Sequence, residues 1–170
     1  MIGAGAIGCL VGGKLALAGE SVTLVGRPHF AAALADNGLR LQGGEDEQVI
    51  RTLGAAGSIA EAFATGKSYD LAILTVKSYD TATALDELVA TVPDERRPAI
   101  LSLQNGVGHE EAIAAAWGHN QVIAGTLTTP VSVQGPAQIR IDRPSYTMGL
   151  SPWSAQTSMD LVEGGMAGFY

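Results

Sequence analysis

Three glycines within the first eight residues, Gly3, Gly5 and Gly8 of "MIGAGAIGCLVGG", constrain this chain more than any other feature. They fit the pattern G-x-G-x-x-G. In it the first glycine permits a tight turn, the second lets the backbone approach a pyrophosphate, and the third lets a helix pack closely on a strand. Directly behind, Ile7, Leu10, Val11, Leu15 and Ala18 recur at helical spacing before Gly19, which predicts a helix over Ala6 to Ala18. The start of such a helix offers free N–H groups and a dipole that favours a phosphate. With 22 glycines in 170 residues the same spacing also arises by accident, so a purely structural glycine turn is the competing reading. The rest of the chain has to decide between them.

Beyond Gly19 the pattern alternates. "SVTLVG" reads as a short buried strand, and "RPHFAAALADNG" as a helix with Pro28 in its first turn and an Asn-Gly stop. "LRLQGGEDEQVIRTLGAAG" holds short alternating runs around a Gly-Gly-acidic turn, which predict a strand and a hairpin-like pair. "SIAEAFATG" predicts a short helix capped by Ser58, and "YDLAILTV" is a continuous apolar run suited to a strand covered on both faces. A helix over "SYDTATALDELVATVP", a strand in "PAILSLQNG" and a helix over "VGHEEAIAAAWG" follow. After "QVIAGTL" the runs in "PVSVQGPAQIRIDRPSYTMGL" shorten and alternate, which predicts antiparallel strands, and a last helix is expected from Trp153 to Val162. Repeated strand-helix alternation implies one α/β domain, a doubly wound, mostly parallel sheet of Rossmann type with antiparallel strands near the C-terminus.

The formal charge of -7 gives a surface that repels nucleic acid and anionic membranes on average, so neither is expected as a partner. A single cysteine, Cys9, cannot form an intrachain disulfide, and no spacing of metal ligands is present, so no metal site is expected. The most apolar stretch is broken by Lys14 and glycines, and no basic leader precedes an apolar core; the chain reads as cytoplasmic.

Open α/β sheets bind ligands beyond the carboxyl ends of their strands, so the residues just past each strand are the candidates for chemistry. About 20 residues beyond the glycine loop, where an acidic residue would bind the ribose of NAD, this chain has Gly26 and Arg27. A guanidinium there suits the 2′-phosphate of NADP through forked, charge-assisted hydrogen bonds, against an ordinary surface arginine as the alternative. Lys77 follows "LAILTV" and could hold a phosphate or a substrate carboxylate; Asn105 follows "ILSLQ", and its amide could serve a carbonyl or a ribose hydroxyl. Each alone could be a solvated turn residue, but their shared edge favours function. His29, His109 and His119 are read as surface histidines, Cys9, Trp117 and Trp153 as packing residues, and Glu110 and Glu111 as complements to a helix dipole.

Together, "GAGAIGCLVGGKLALAG", "VTLVGR", "YDLAILTVKSYDT", "ILSLQNGVGHEE" and "VIAGTLTTPVSV" resemble the N-terminal half of the ketopantoate reductase family, the NADPH-dependent 2-dehydropantoate 2-reductases of pantothenate biosynthesis. The resemblance runs from Gly3 to about Gly168. It implies an NADPH domain spanning residues 1–170 that precedes a helical domain, with substrate between the two and hydride passing from nicotinamide C4 to the keto carbon of a 2-oxo acid. It implies that Gly3, Ala4, Gly5, Ala6, Ile7 and Gly8 form the pyrophosphate loop, that Arg27 meets the adenosine 2′-phosphate, and that Lys77 lies near the cofactor. Asn105 would touch both nicotinamide ribose and substrate, and Thr128 to Val131 would run beside the cofactor. A homodimer is a further expectation.

Two departures qualify it. The family's general-acid lysine and a supporting glutamate lie in its helical domain, and none of Lys14, Lys67 and Lys77 matches that acid. Cofactor binding without efficient turnover is therefore expected of this chain alone, as are the alternatives of a non-catalytic NADP-binding module and a reductase of another 2-oxo acid. At the other end only Met1 and Ile2 precede the loop, where a doubly wound sheet has its central strand. Either that strand is missing or a slot in the sheet is partly empty.

Overall fold

The computed structural model describes residues 1–64, 66–143, 147–155, 157 and 163. In chain order its first half runs α1 (Ala6–Leu17), β1 (Thr23–Val25), α2 (Pro28–Asn37), β2 (Leu39–Gly43), β3 (Asp46–Ile50), β4 (Gly54–Ala56) and α3 (Ile59–Ala64). The second half runs β5 (Leu71–Leu74), α4 (Thr81–Thr91), β6 (Ala99–Ser102), α5 (His109–Trp117), β7 (Val122–Thr128), β8 (Val131–Gly135), β9 (Gln138–Ile141) and β10 (Thr147–Pro152).

The main sheet is parallel through β4-β1 and through β5-β6-β7, with β10 added antiparallel to β7. Its two parallel parts are joined by the first residues of the chain. Ile2 bridges to Val25 on one side and Leu74 on the other, both parallel. Ile2 N–H donates to Ile73 O at 2.8 Å and Thr75 N–H to Ile2 O at 2.9 Å, while Val25 N–H donates to Met1 O at 2.9 Å. Met1, Ile2 and Gly3 thus fill the loop end of the slot expected to be partly empty, and one buried isoleucine ties the halves together.

"LAIL" and "AILS" read as continuous apolar runs because helices cover both faces of these strands. Leu74, Ile100 and Val122 point to Leu85, Leu88, Ile113 and Trp117 under α4 and α5. Ile73, Leu101 and Ile123 point the other way, to Val11 and Leu15 of α1. Successive strand residues alternate faces, so this division follows from the period of two.

A second sheet lies across the far side of α1. It has the order β3-β2-β9-β8, with the β2-β3 hairpin joined in parallel to the β8-β9 hairpin. The two hairpin-like segments expected from sequence pair with each other, 90-odd residues apart along the chain by their register Leu41↔Ile139, because each has one apolar face that only α1 can cover. Cys9 and Leu10 of α1 pack there on Leu39, Leu41, Ile50 and Ile139.

The predicted helix from Trp153 to Val162 does not start where expected. Trp153, Ser154 and Ala155 form bends and a turn after β10, and Thr157 Oγ1 donates back to Val122 O at 3.0 Å. Of the rest of that expectation, residues 156 and 158–162 lie outside the described residues.

Replacing Ile2, 5% exposed, with alanine should lower unfolding free energy by about 2–5 kcal/mol in urea titrations, the usual range for a buried isoleucine. Val49→Ala, at a residue 44% exposed on β3, should change it by only about 0.5 kcal/mol.

Candidate functional site

The glycine loop is shaped by packing at two of its three glycines and by open space at the third. Gly3 has φ +105°, and a Cβ there would stand 2.7 Å from Val76 N. At Gly8 a Cβ would collide with the carbonyl oxygen of Gly3 and come within 2.8 Å of Thr75 Oγ1. Gly5, the N-cap of α1, has nothing within 4 Å of its Cβ position and is exposed. The first turn of α1 is therefore pressed onto the loop from behind while its front remains accessible, and no side chain caps it. Its first N–H groups are the kind that an anion satisfies.

Both neighbouring strands hold the loop in place. Gly3 and Ala4 N–H both donate to Val25 O at 3.1 Å, and Thr75 Oγ1 donates to Gly3 O at 2.7 Å. Thr75 stands directly after β5, where the apolar strand pattern does not single it out.

In front of the loop lies a cavity of about 710 Å³ bordered by Gly3, Ala4 and Gly5, by Arg27 beyond β1 and by Lys77 beyond β5. Gly26 makes the corner before Arg27 possible, since a Cβ on it would meet the Phe30 ring at 2.7 Å and Ala4 Cβ at 2.8 Å. Arg27 is the N-cap of α2. Arg27 and Lys77 are both exposed and, among the described residues, take part in no ion pair. Two exposed cations and an uncapped helix start bordering one concavity suit a ligand bearing phosphates.

Glu87, which also borders the cavity, is engaged in capping. Glu87 Oε1 accepts from Ile59 N–H at 2.9 Å and Ala60 N–H at 3.1 Å, holding the start of α3 against α4. Ser58 Oγ accepts from Glu61 N–H at 3.0 Å, the cap expected at Ser58, and Glu61 Oε2 accepts from Gly57 N–H at 2.7 Å. Among the described residues neither acid pairs with Arg27 or Lys77.

Not every sequence candidate borders the cavity. Ala6, Ile7 and Gly8 stand behind its lining in α1, and Ile7 packs toward the main-sheet core. Asn105 lies outside the lining, one strand over. Leu74 and Ser102 are register partners, and Lys77 and Asn105 each stand three residues beyond them, so the two share an edge. Thr128 to Val131, the connection from β7 to β8, also lies outside the lining.

The histidines divide. His29 is exposed and borders the cavity beside Arg27, and His119 is exposed with its ring 5.5 Å from that of Trp153. His109, read as a surface residue, is instead 8% exposed, with Nε2 3.1 Å from Asn105 O. The correction has a physical reason: as the first residue of α5 it turns inward to serve the carbonyl of the preceding turn, which a periodicity count cannot show. Trp117 is the packing residue expected, with Nε1 donating to Pro98 O at 2.8 Å beneath the Arg97 guanidinium.

Cys9 is buried against the second sheet, and burial pushes its thiol up to about 12. The neutral thiol thus persists above its ordinary titration range, in keeping with Cys9 as a packing residue. Native protein at pH 8 should leave Cys9 unmodified by a thiol-specific disulfide reagent. Unfolding in guanidinium should release one equivalent of reactive thiol at the same pH; rapid labelling of the native chain would contradict its burial.

A family model described as "Ketopantoate reductase PanE/ApbA" matches residues 1–154. A 2-dehydropantoate 2-reductase of Pyrococcus horikoshii is 38% identical over 139 residues, which cover 82% of this chain and 42% of that protein. One of Pyrococcus abyssi is 34% identical over 163 residues, 95% of this chain and 50% of the other. Among solved structures, a PanE/ApbA family ketopantoate reductase from Ralstonia eutropha is similar with a TM-score of 0.81 at 27% identity, covering 99% of this chain and 52% of that one. The chain spans about half the length of the relatives it matches.

Proposed function

Because the chain belongs to the ketopantoate reductase PanE/ApbA family, we propose that it forms the cofactor-binding domain, residues 1–170, of an enzyme reducing 2-dehydropantoate to pantoate with NADPH. The observation that carries this reading is the single cavity onto which the glycine loop, Arg27 and Lys77 all open.

When bound, NADPH supplies a hydride from its nicotinamide ring to the keto carbon of the 2-oxo acid. The chain's own groups bind and orient. Within the Gly3 to Gly8 loop the Gly3 and Ala4 N–H groups are committed to Val25 O, so the uncapped N–H groups at the start of α1, from Gly5 onward, hold the pyrophosphate. The Arg27 guanidinium pairs with the adenosine 2′-phosphate, a contact that a cofactor lacking that phosphate cannot make. The Lys77 ammonium holds phosphate or the substrate carboxylate at the strand-end edge. Asn105, as substrate-orienting residue, donates its amide N–H to the keto oxygen or accepts from a ribose hydroxyl. No residue of this chain is assigned as the proton donor to the developing alkoxide, a role that typically contributes about 10² to 10⁴ in rate.

The partner is thus a small 2-oxo acid, and we place the protein in the cytoplasm as a homodimer. Among the described residues no helix is long and apolar enough to cross a membrane.

Titration of the purified chain with NADPH, followed by nucleotide fluorescence, should saturate. Arg27→Ala should weaken NADPH about tenfold or more while leaving NADH nearly unchanged, as expected for one charge-assisted phosphate contact. Absence of saturable binding defeats the cofactor reading, and equal loss for both nucleotides defeats the assignment to Arg27. Turnover of the full-length protein against a panel of 2-oxo acids should favour ketopantoate; a flat profile or a different preferred acid would remove the narrower substrate claim.

A further inference from the structure

The turn carrying Asn105 is gripped from both flanks. On the near side, Gln104 Nε2 donates to Val76 O at 3.0 Å and to Thr81 Oγ1 at 2.7 Å. Val76 O belongs to the peptide that leads into Lys77, and a carbonyl can only accept, so this bond sets which way the amide faces. One side chain therefore spans from the Asn105 turn to the backbone presenting Lys77 and to the start of α4.

On the far side, His109 Nε2 lies 3.1 Å from the carbonyl oxygen of Asn105 itself. That oxygen also can only accept, so the ring carries its proton on Nε2. The turn fits tightly around the ring. Gly106 has φ +123°, and a Cβ there would stand 2.9 Å from His109 Nε2. Gly108, the N-cap of α5, has φ +85° and no side chain with which to cap. The backbone of Asn105 is thereby drawn inward while its side chain stays exposed.

We infer that Gln104 and His109 are positioning residues that hold the Asn105 amide in a set relation to Lys77, at the nicotinamide half of the site. The inference rests on the cofactor reading above. A purely structural role would instead stabilise the turn without discriminating between the two halves of a dinucleotide. Adenosine 2′,5′-bisphosphate separates these cases, because it keeps the 2′-phosphate that Arg27 would read and lacks the nicotinamide half.

The test measures binding of NADPH and of adenosine 2′,5′-bisphosphate to the full chain and to Asn105→Ala, Gln104→Met, His109→Phe and His109→Gln. Gln104→Met and His109→Phe should each weaken NADPH about 3- to 10-fold, the usual worth of a lost neutral hydrogen bond, with the bisphosphate unchanged. His109→Gln, which restores an N–H donor, should recover most of the loss. Asn105→Ala combined with His109→Phe should bind NADPH no more weakly than Asn105→Ala alone, since the histidine acts through the asparagine. Parallel loss of both ligands, no loss of either, or additive losses in the double variant would overturn the assignment. Two flanks supply independent variants, so a folding defect in one leaves the other to decide. Failure of the unaltered chain to bind either ligand would overturn the cofactor reading itself, and this assignment with it.

Discussion

The two sheets of this molecule are arranged around one helix, most of whose residues are buried. α1 lies between the main sheet and the second sheet, and its close approach to each depends on adjacent glycines. A Cβ on Gly12 would meet Leu24 Cδ2 at 2.6 Å, and one on Gly13 would meet Leu39 Cδ2 at 2.9 Å and Leu41 Cδ1 at 3.0 Å. A helix with apolar residues on opposite faces is stable only when both are covered, and the second sheet covers the face that the main sheet leaves. The same packing presses Gly8 against Gly3 and leaves the front of the helix start open. The candidate phosphate site lies at the N-terminal end of α1, where Gly5 stays exposed.

Parallel register then gathers the remaining groups. Strands β1 and β5 flank Ile2, so residues just beyond them, Arg27 and Lys77, emerge on either side of the loop that Ile2 leads into. Asn105 follows from the next strand over by the Leu74↔Ser102 pairing. None of these residues is close to another in sequence. Their assembly is a property of the open parallel sheet, whose strand ends all point one way.

Much of this was legible from residues alone, and the reasons are specific. "LAILTV" and "PAILSLQ" are apolar without alternation because both faces are buried; α4 between them stops before Pro93, and α5 after them is bounded by Gly108 and Gly118. Arg27 and Lys77 could be picked out because a strand-end position needs only the strand to be found. Thr75 and His109 could not: their roles lie in hydrogen bonds to Gly3 O and Asn105 O, carbonyls that carry no residue-specific signal. The pairing of β2 with β9 was equally silent, since each strand is four or five residues long and nothing in one specifies the other.

By itself the sequence determined the alternation of strands and helices, the glycine loop and the cations beyond β1 and β5, because hydrophobic period, glycine spacing and charge are local properties of a chain. Only the tertiary structure decided that Met1 to Gly3 bridge the two parallel parts of the main sheet at its loop end, that two distant hairpins close over α1, and that a buried histidine holds the Asn105 turn. Those outcomes are set by which backbone groups and apolar faces remain unsatisfied once the local elements exist. Such groups find partners across the whole chain, at separations no local pattern encodes.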